Sequence, residues 1–386
     1  MRRHRNFILP FLILTLVKVC AVNVAAQTLV QPPLFPITLN QKDGYINDQG
    51  EVVIAPKFDK VSNFAEDLAA VYVNSMWGYI DRLGTVVIAL RYEMAGNFSE
   101  GLAAVRLQGQ YGYINGKGFL VIKPQFEKAG SFHEGLARVR RGGNWQYIDR
   151  LGEPVISGPY LYIDDFRDGF AIVAKRFENG AIKVAFINKK GKLSPSGWLS
   201  AAQPFSEGLA VISKDAHINA GLASGELVFD NFDSSLSFLE PVQYTLINTN
   251  GQQVFNGNYQ QIGDFADGLA AVRIDNKWGY INRQGKLVIP LQFDVAESFS
   301  EGLALVGSGD ERYFIDTSGK IVFRATYSVI TPFTNGLARV ISCEALTCQY
   351  QYINKVGKII WQSAENATAP PFNIHDFINL ILSEAA

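Results

Sequence analysis

The sequence predicts an all-β protein built as a tandem array of about eight to nine 34-residue units, each an antiparallel three-stranded meander. Three observations carry this reading. A turn glycine recurs at a fixed spacing, a second glycine follows it by 17 residues, and the stretches between are rich in Val, Ile, Phe and Tyr. Such residues suit pleated, half-buried strands, and a fixed period outweighs any domain count drawn from length. A solenoid-like stack and a β-propeller-like closure both fit the pattern. The stack is expected first, because 34 residues is short for a four-stranded blade of roughly 40 to 45.

The chain opens with Arg2, Arg3 and Arg5, an apolar run from Phe7 to Val17, and small residues up to Ala26. A basic start, a short apolar segment and a small-residue end make residues 1–26 a secretory signal peptide. Lys18 ends the run well short of the roughly 20 apolar residues a membrane span needs. No transmembrane span is expected after cleavage, and the mature protein is expected to be exported, periplasmic or extracellular, at a bacterial cell envelope. Residues 27–43, Pro-rich from Gln31 to Pro36, read as an N-terminal linker or a first edge strand.

The repeat array spans 44–361. Its turn glycines stand at 50, 84, 118, 152, 191, 251, 285, 319 and 357, mostly 34 apart. Four residues before each stands an isoleucine, followed by Asp or Asn. An Asx, two residues and a glycine form a three-residue hairpin turn closed by a left-handed residue. Asp81, Asp149 and Asp316 are therefore turn formers rather than catalysts. The returning strand carries Val86–Ile88 or its equivalent, and an aromatic such as Tyr92 at offset eight. A phenylalanine follows at offset fourteen, then the second glycine and Leu-Ala-x-Val, read as a third strand. In the first copy Asp67 replaces that second glycine, which fits because Asp tolerates positive φ.

Along Trp-Gly-Tyr-Ile the side chains alternate, with Trp and Tyr on one face and Gly and Ile on the other. Both faces are apolar, so one unit cannot stand alone and must pack against its neighbours.

Trp77-Gly78-Tyr79-Ile80-Asp81, Trp278-Gly279-Tyr280-Ile281 and the F-x-E-G-L-A segments resemble the WG repeat family. The resemblance implies a β-rich module common in exported or surface-associated bacterial proteins. Tyr111 takes the Trp place in the third copy, and Val184-Ala185 and Tyr244-Thr245 replace Trp-Gly in the fifth and sixth.

The pattern breaks twice. An irregular insertion at 213–243 reads as a decayed repeat around Gly225 or as a functional insertion, with Asp215, His217, Asp230, Asp233 and Glu240 matching no repeat position. Further on, four extra residues coincide with Cys343 and Cys348 at a hairpin tip. These are the only cysteines left after cleavage, and an oxidising compartment would join them. The tail 362–386 has apolar residues at helical spacing from Asp376 to Leu382 and is expected to form a short capping helix.

Without the leader, basic and acidic residues number 31 and 36, which disfavours a nucleic-acid partner. No nucleophile, zinc or P-loop motif occurs, the histidines are scattered, and neither cofactor nor metal is expected. The acids before the second glycine, Glu100, Glu134, Asp168, Glu207, Asp267 and Glu301, form a ladder rather than the single constellation an active site needs. The expected function is a non-enzymatic exported scaffold presenting an extended surface to a protein or cell-envelope partner. One alternative is glycan binding on the aromatic ladder Trp77, Tyr111, Trp145 and Trp278. The other is a hydrolase with its site in the 213–243 insertion.

Overall fold

The computed structural model describes residues 31–194, 197–213, 221–223, 226–228, 242–344 and 347–363. All strands lie in the unit Pro33–Ala386, in nine small antiparallel sheets and one two-stranded ribbon. Consecutive sheets pack face to face and the ninth returns to the first, which makes a nine-bladed β-propeller. The closed arrangement therefore holds, and the open stack does not.

Blade 2 shows the plan. Strand a is Lys60–Val61, strand b Ala69–Val73, strand c Met76–Ile80 and strand d Val86–Tyr92, hydrogen-bonded in that order. Blades 3, 4, 6, 7, 8 and 9 repeat it over 94–126, 128–157, 201–259, 261–293, 295–325 and 329–362. Blade 1 has strands b, c and d over 35–58, and blade 5 has a, b and c over 162–188. The first strand, Phe35–Leu39, lies inside the stretch read as a linker or a first edge strand, and it is an edge strand of blade 1.

The expected three-stranded unit is corrected to a four-stranded sheet. A unit counted from Trp-Gly-Tyr-Ile holds strands c and d of one blade and strands a and b of the next. Strand a is only two residues long in most blades, too short to register as an alternating run. Its brevity, with two-residue turns on either side of strand b, also lets 34 residues make a whole blade.

Packing between blades explains the repeated side chains. Tyr79 on strand c of blade 2 meets Phe98 of blade 3, and Tyr113, Tyr147 and Tyr280 meet Phe132, Phe166 and Phe299 in the same way, with ring centroids 4.9 Å apart. Each tyrosine hydroxyl donates to a backbone carbonyl of the following blade, at Gly96, Gly130, Asp164 and Glu297. On the opposite face of strand c, Ile80 packs with Tyr45, Ile54 and Phe58 of blade 1. Closure uses the same chemistry. Tyr352 of blade 9 donates to the carbonyl of Pro36 in blade 1 at 2.8 Å, and Phe35, Ile37, Ile46, Leu337 and Tyr352 form one apolar cluster.

The Trp-Gly glycine has a steric reason. Between the pairs Trp77↔Tyr92 and Tyr79↔Ile88, Gly78 alone opposes Ala89, Leu90 and Arg91, a two-residue bulge in strand d. A Cβ on Gly78 would lie 2.6 Å from the Ile88 carbonyl oxygen, and one on Gly112 or Gly279 would lie 2.5 Å from the equivalent oxygen. All three blades share the bulge. Where Thr245 or Tyr313 replaces the glycine, the ladder is regular at that point.

Of the insertion, the described part is a ribbon, Gly221–Ala223 with Glu226–Val228, inside the connection between strands b and c of blade 6. No helix occurs among the described residues. The expected signal peptide, the Asp376–Leu382 segment expected to be helical, and His217, Asp215, Asp230, Asp233 and Glu240 lie outside them.

Candidate functional site

Antiparallel order places the two kinds of connection on opposite faces of the ring. The a–b and c–d turns share one face; the b–c turns and d–a links share the other. Hydrogen bonds confirm the second grouping. The d–a carboxylates of Asp59, Glu93, Glu127 and Asp294 accept from the b–c turn amides of Asn74, Gly109, Gly143 and Gly309.

On the first face, the acid ladder has a structural task. Each a–b turn puts an acid and a glycine at positive φ, as in Glu134 (51°) and Gly135 (86°). A non-glycine residue held there carries strain, and the carboxylate is thereby aimed at the following blade. Glu66, Glu100, Glu134, Asp168, Glu207, Asp267 and Glu301 accept from the amides of Gly101, Gly135, Gly169, Gly208, Gly268, Gly302 and Gly336. A cation from the c–d turn of that following blade completes four of these staples, including Lys189 on Glu134 at 3.3 Å and Lys355 on Glu301 at 3.1 Å. Burial pushes the Glu301 carboxyl up, but Lys355 and the Gly336 and Asn335 amides outweigh it and leave it below the usual range.

The turn aspartates behave as expected. Oδ1 of Asp81, Asp149 and Asp316 accepts two backbone amides within its own turn.

The aromatic ladder stands at the b–c end of strand c in blades 2, 3, 4 and 7, and all four rings are half-buried. One side packs on a cluster shared with the following blade, Trp77 on the one with Phe98 and Val105, Tyr111 on the one with Phe132 and Val139, and Trp278 on the one with Phe299 and Val306. Cross-strand neighbours cover much of the rest. Tyr72 lies 5.2 Å from Trp77, and the Arg106 and Arg273 guanidiniums lie 5.9 and 6.0 Å from the Tyr111 and Trp278 ring centres. Trp145 packs, as do Tyr160 and Trp198, against the cluster that holds Tyr147, Ile156 and Ile163. Blades 2 to 4 are consecutive, so three rings form an arc and Trp278 stands apart.

A charged cluster between blades 4 and 5 escaped sequence reasoning. Asp165 is 6% exposed and lies 3.0 Å from Arg138 Nε and 3.7 Å from His133 Nε2. Burial raises its carboxyl above the usual range, and Arg138 and then His133 oppose that rise. The sequence signal was slight: His133 stands where other copies carry Ala, Ser, Arg or Thr, and Asp165 where they carry Asn, Ser, Pro or, at Asp264, the same acid. The arrangement is a paired ionic contact. Among the described residues no group of three or more His, Cys, Asp and Glu is placed to hold a metal.

The predicted disulfide is present. Cys343 and Cys348 face each other across the b–c hairpin of blade 9 and are bonded. Its position groups it with two other departures. Blades 1, 2, 3, 4, 7 and 8 have two-residue b–c turns, such as Asn74-Ser75 and Gln108-Gly109. Blade 5 runs 177–181, blade 6 takes the whole 214–241 connection, and blade 9 lengthens strands b and c themselves, to Leu337–Glu344 and Thr347–Asn354, with the disulfide between them. All three lengthened connections lie on one face.

The model of the WG containing repeat matches residues 44–76, 77–111, 111–145, 147–176, 244–278, 278–310 and 314–341. No curated protein matches the chain. Among solved structures, Kluyvelomyces marxianus Hsv2 is similar at 13% identity and a TM-score of 0.36, covering 66% of this chain and 89% of that one. A Bacteroides caccae protein of unknown function is similar at 14% and 0.23, over 68% and 92%. YCF48 bound to D1 peptide is similar at 11% and 0.32, over 81% and 94%.

Proposed function

The chain belongs to the WG containing repeat family, and from that footing we propose that it is an exported, non-enzymatic scaffold whose b–c face receives a protein or cell-envelope partner. The observation that carries this reading is where the repeat is broken. Each a–b and c–d turn is tied into the ring by carboxylate staples and Asx turns, so lengthening one would cost contacts with its neighbours. The short b–c turns of blades 2, 3, 4, 7 and 8 are tied to the d–a links by Asp59, Glu93, Glu127, Gln260 and Asp294, and the three lengthened hairpins fall in other blades, 5, 6 and 9. Loops held on a rigid scaffold are where recognition concentrates.

The hydrolase alternative would have its site in the 213–243 insertion, most of which lies outside the described residues; the repeated carboxylates elsewhere bond backbone amides. Export rests on the 1–26 leader and agrees with the Cys343–Cys348 bond. Glycan binding would use the Trp77, Tyr111 and Trp145 arc on this same face. Ring faces already occupied by Tyr72 and Arg106 favour packing for them.

The test begins with fractionation and N-terminal sequencing, expected to find mature protein starting at Gln27 in the envelope fraction. Photocrosslinkers at Asn179 and Asn74 would then be compared in cells with a variant whose 214–241 connection is replaced by Asn-Gly. One specific adduct that is lost in the variant, while its melting curve is retained, supports the scaffold. Cytoplasmic retention, or adducts unaffected by the replacement, would overturn it. A glycan array with Trp77→Ala alongside decides the sugar reading.

A further inference from the structure

We infer that the face carrying the c–d turns is a contact surface between two copies of this chain, packed face to face about a two-fold axis. The proposal concerns the face opposite the one assigned to the partner and stands independently of it.

The residue just after the turn glycine is held by its backbone amide to the Asx, and where its side chain bonds, as in Glu51 to Asn47 and Gln252 to Asn248, the bond stays within its own turn. It is exposed in all nine blades, yet its chemistry is not random around the ring. Blades 1 and 4 carry Glu51 and Glu153. Blades 5, 7, 8 and 9 carry Lys192, Lys286, Lys320 and Lys358. Blades 2 to 4 also leave large apolar groups in water beside the acids, with Leu83 83%, Leu151 78% and Phe119 65% exposed. Arg82, Lys117 and Arg150 add three cations to the turns of blades 2 to 4, against eight Lys and Arg in those of blades 5 and 7 to 9, so one half of the face is apolar with the glutamates and the other half is a cationic arc. Exposed apolar side chains gathered in this way mark contact surfaces.

Symmetry makes this layout self-complementary. A two-fold axis lying in the face of a nine-bladed ring passes through one blade and the gap opposite, and pairs the remaining blades across it. Of the nine such axes, only the one through blade 9 sets both glutamates against lysines. It pairs blade 1 with blade 8, placing Glu51 opposite Lys320, and blade 4 with blade 5, placing Glu153 opposite Lys192. Each pair then occurs twice. Phe119 faces the uncharged Gln252 of blade 6, and Leu83 lies over the aliphatic stem of Lys286. On the axis itself Val356, 69% exposed, meets its own copy, Lys355 and Lys358 of that turn are brought near their likes, and Arg82 of blade 2 faces Arg283 of blade 7. An anionic bilayer would favour the cationic arc but would repel Glu51 and Glu153, which stand at the same height on the ring. A second copy satisfies both halves, and it leaves two b–c faces pointing outward.

The experiment uses mature protein in sedimentation equilibrium at low and high salt, with vesicles of phosphatidylglycerol as the competing surface. Wild type is expected to dimerise at concentrations of about 100 µM or below and to weaken with salt. The double variants Lys192→Glu/Lys320→Glu and Glu51→Lys/Glu153→Lys should each lose at least about tenfold in self-affinity while melting as wild type does. Mixed in equal amounts, they should recover a one-to-one heterodimer. A monomeric wild type, variants that still self-associate, a mixture that fails to recombine, or binding to vesicles in place of dimerisation would each overturn the proposal.

Discussion

Gly78→Ala isolates the role of the Trp-Gly signature. The added Cβ would sit 2.6 Å from the Ile88 carbonyl oxygen, 2.9 Å from the Leu90 amide nitrogen and 3.0 Å from the Ala89 carbonyl carbon. All three are backbone atoms, so no rotamer change relieves the contact. Strand d must back away from strand c, loosening the Trp77↔Tyr92 and Tyr79↔Ile88 pairs that flank the bulge. Overpacking costs about 1–3 kcal/mol and one weakened ladder hydrogen bond about 1. Against this, Ala in place of Gly in an ordinary strand gains about 0.5–1 kcal/mol. The expected net loss is about 2–3 kcal/mol. With an unfolding entropy of about 2.1 cal/mol/K per residue over about 330 residues, that is a fall in Tm of roughly 3–4 °C. The control is Thr245→Gly in blade 6, where the ladder is regular and the change should cost about 1 kcal/mol for added backbone freedom. Scanning calorimetry and urea melts read both. A Gly78→Ala protein as stable as wild type would refute the steric account, as would stabilisation by Thr245→Gly.

Three further outcomes follow from the inter-blade bonds. Glu134→Ala should cost about 2 kcal/mol in urea unfolding through the lost bonds to Gly169 and Lys189, whereas Glu134→Gly should cost about 1 kcal/mol less because it relieves the positive φ; equal losses would contradict the strain assigned to this turn. Tyr113→Phe, which removes the bond to the Gly130 carbonyl, should cost about 1–2 kcal/mol, and measured neutrality would mean that the hydroxyl row adds nothing to ring stability. The Glu301 carboxyl lies below its ordinary range in the fold, so its contribution is complete above the unfolded glutamate pKa and is lost as pH falls through the folded value. Glu301→Gln should therefore flatten the wild-type decline in Tm between neutral and acid pH, and parallel curves would count against the staple.

The sequence by itself determined the local chemistry of this protein. Nine Asx-to-glycine turns, the alternation of Trp and Tyr against Gly and Ile, the left-handed place of Asp67 and the cysteine pair were all legible, because each depends on residues a few positions apart. The all-β class and the number of units followed from counting. Only the tertiary structure decided whether the array stayed open or closed, since that depends on a small rotation added at every interface and settled by Phe35 and Pro36 meeting Tyr352. It also decided what the carboxylate ladder was for. Glu134 and Gly169 are far apart in sequence, and nothing local says that one accepts from the other. The His133, Arg138 and Asp165 contact was hidden for the same reason, as its two sides come from neighbouring blades. Strand phase was the last such feature: a two-residue strand carries too little pattern to be read, and it acquires meaning only when its neighbour supplies the other half of the ladder.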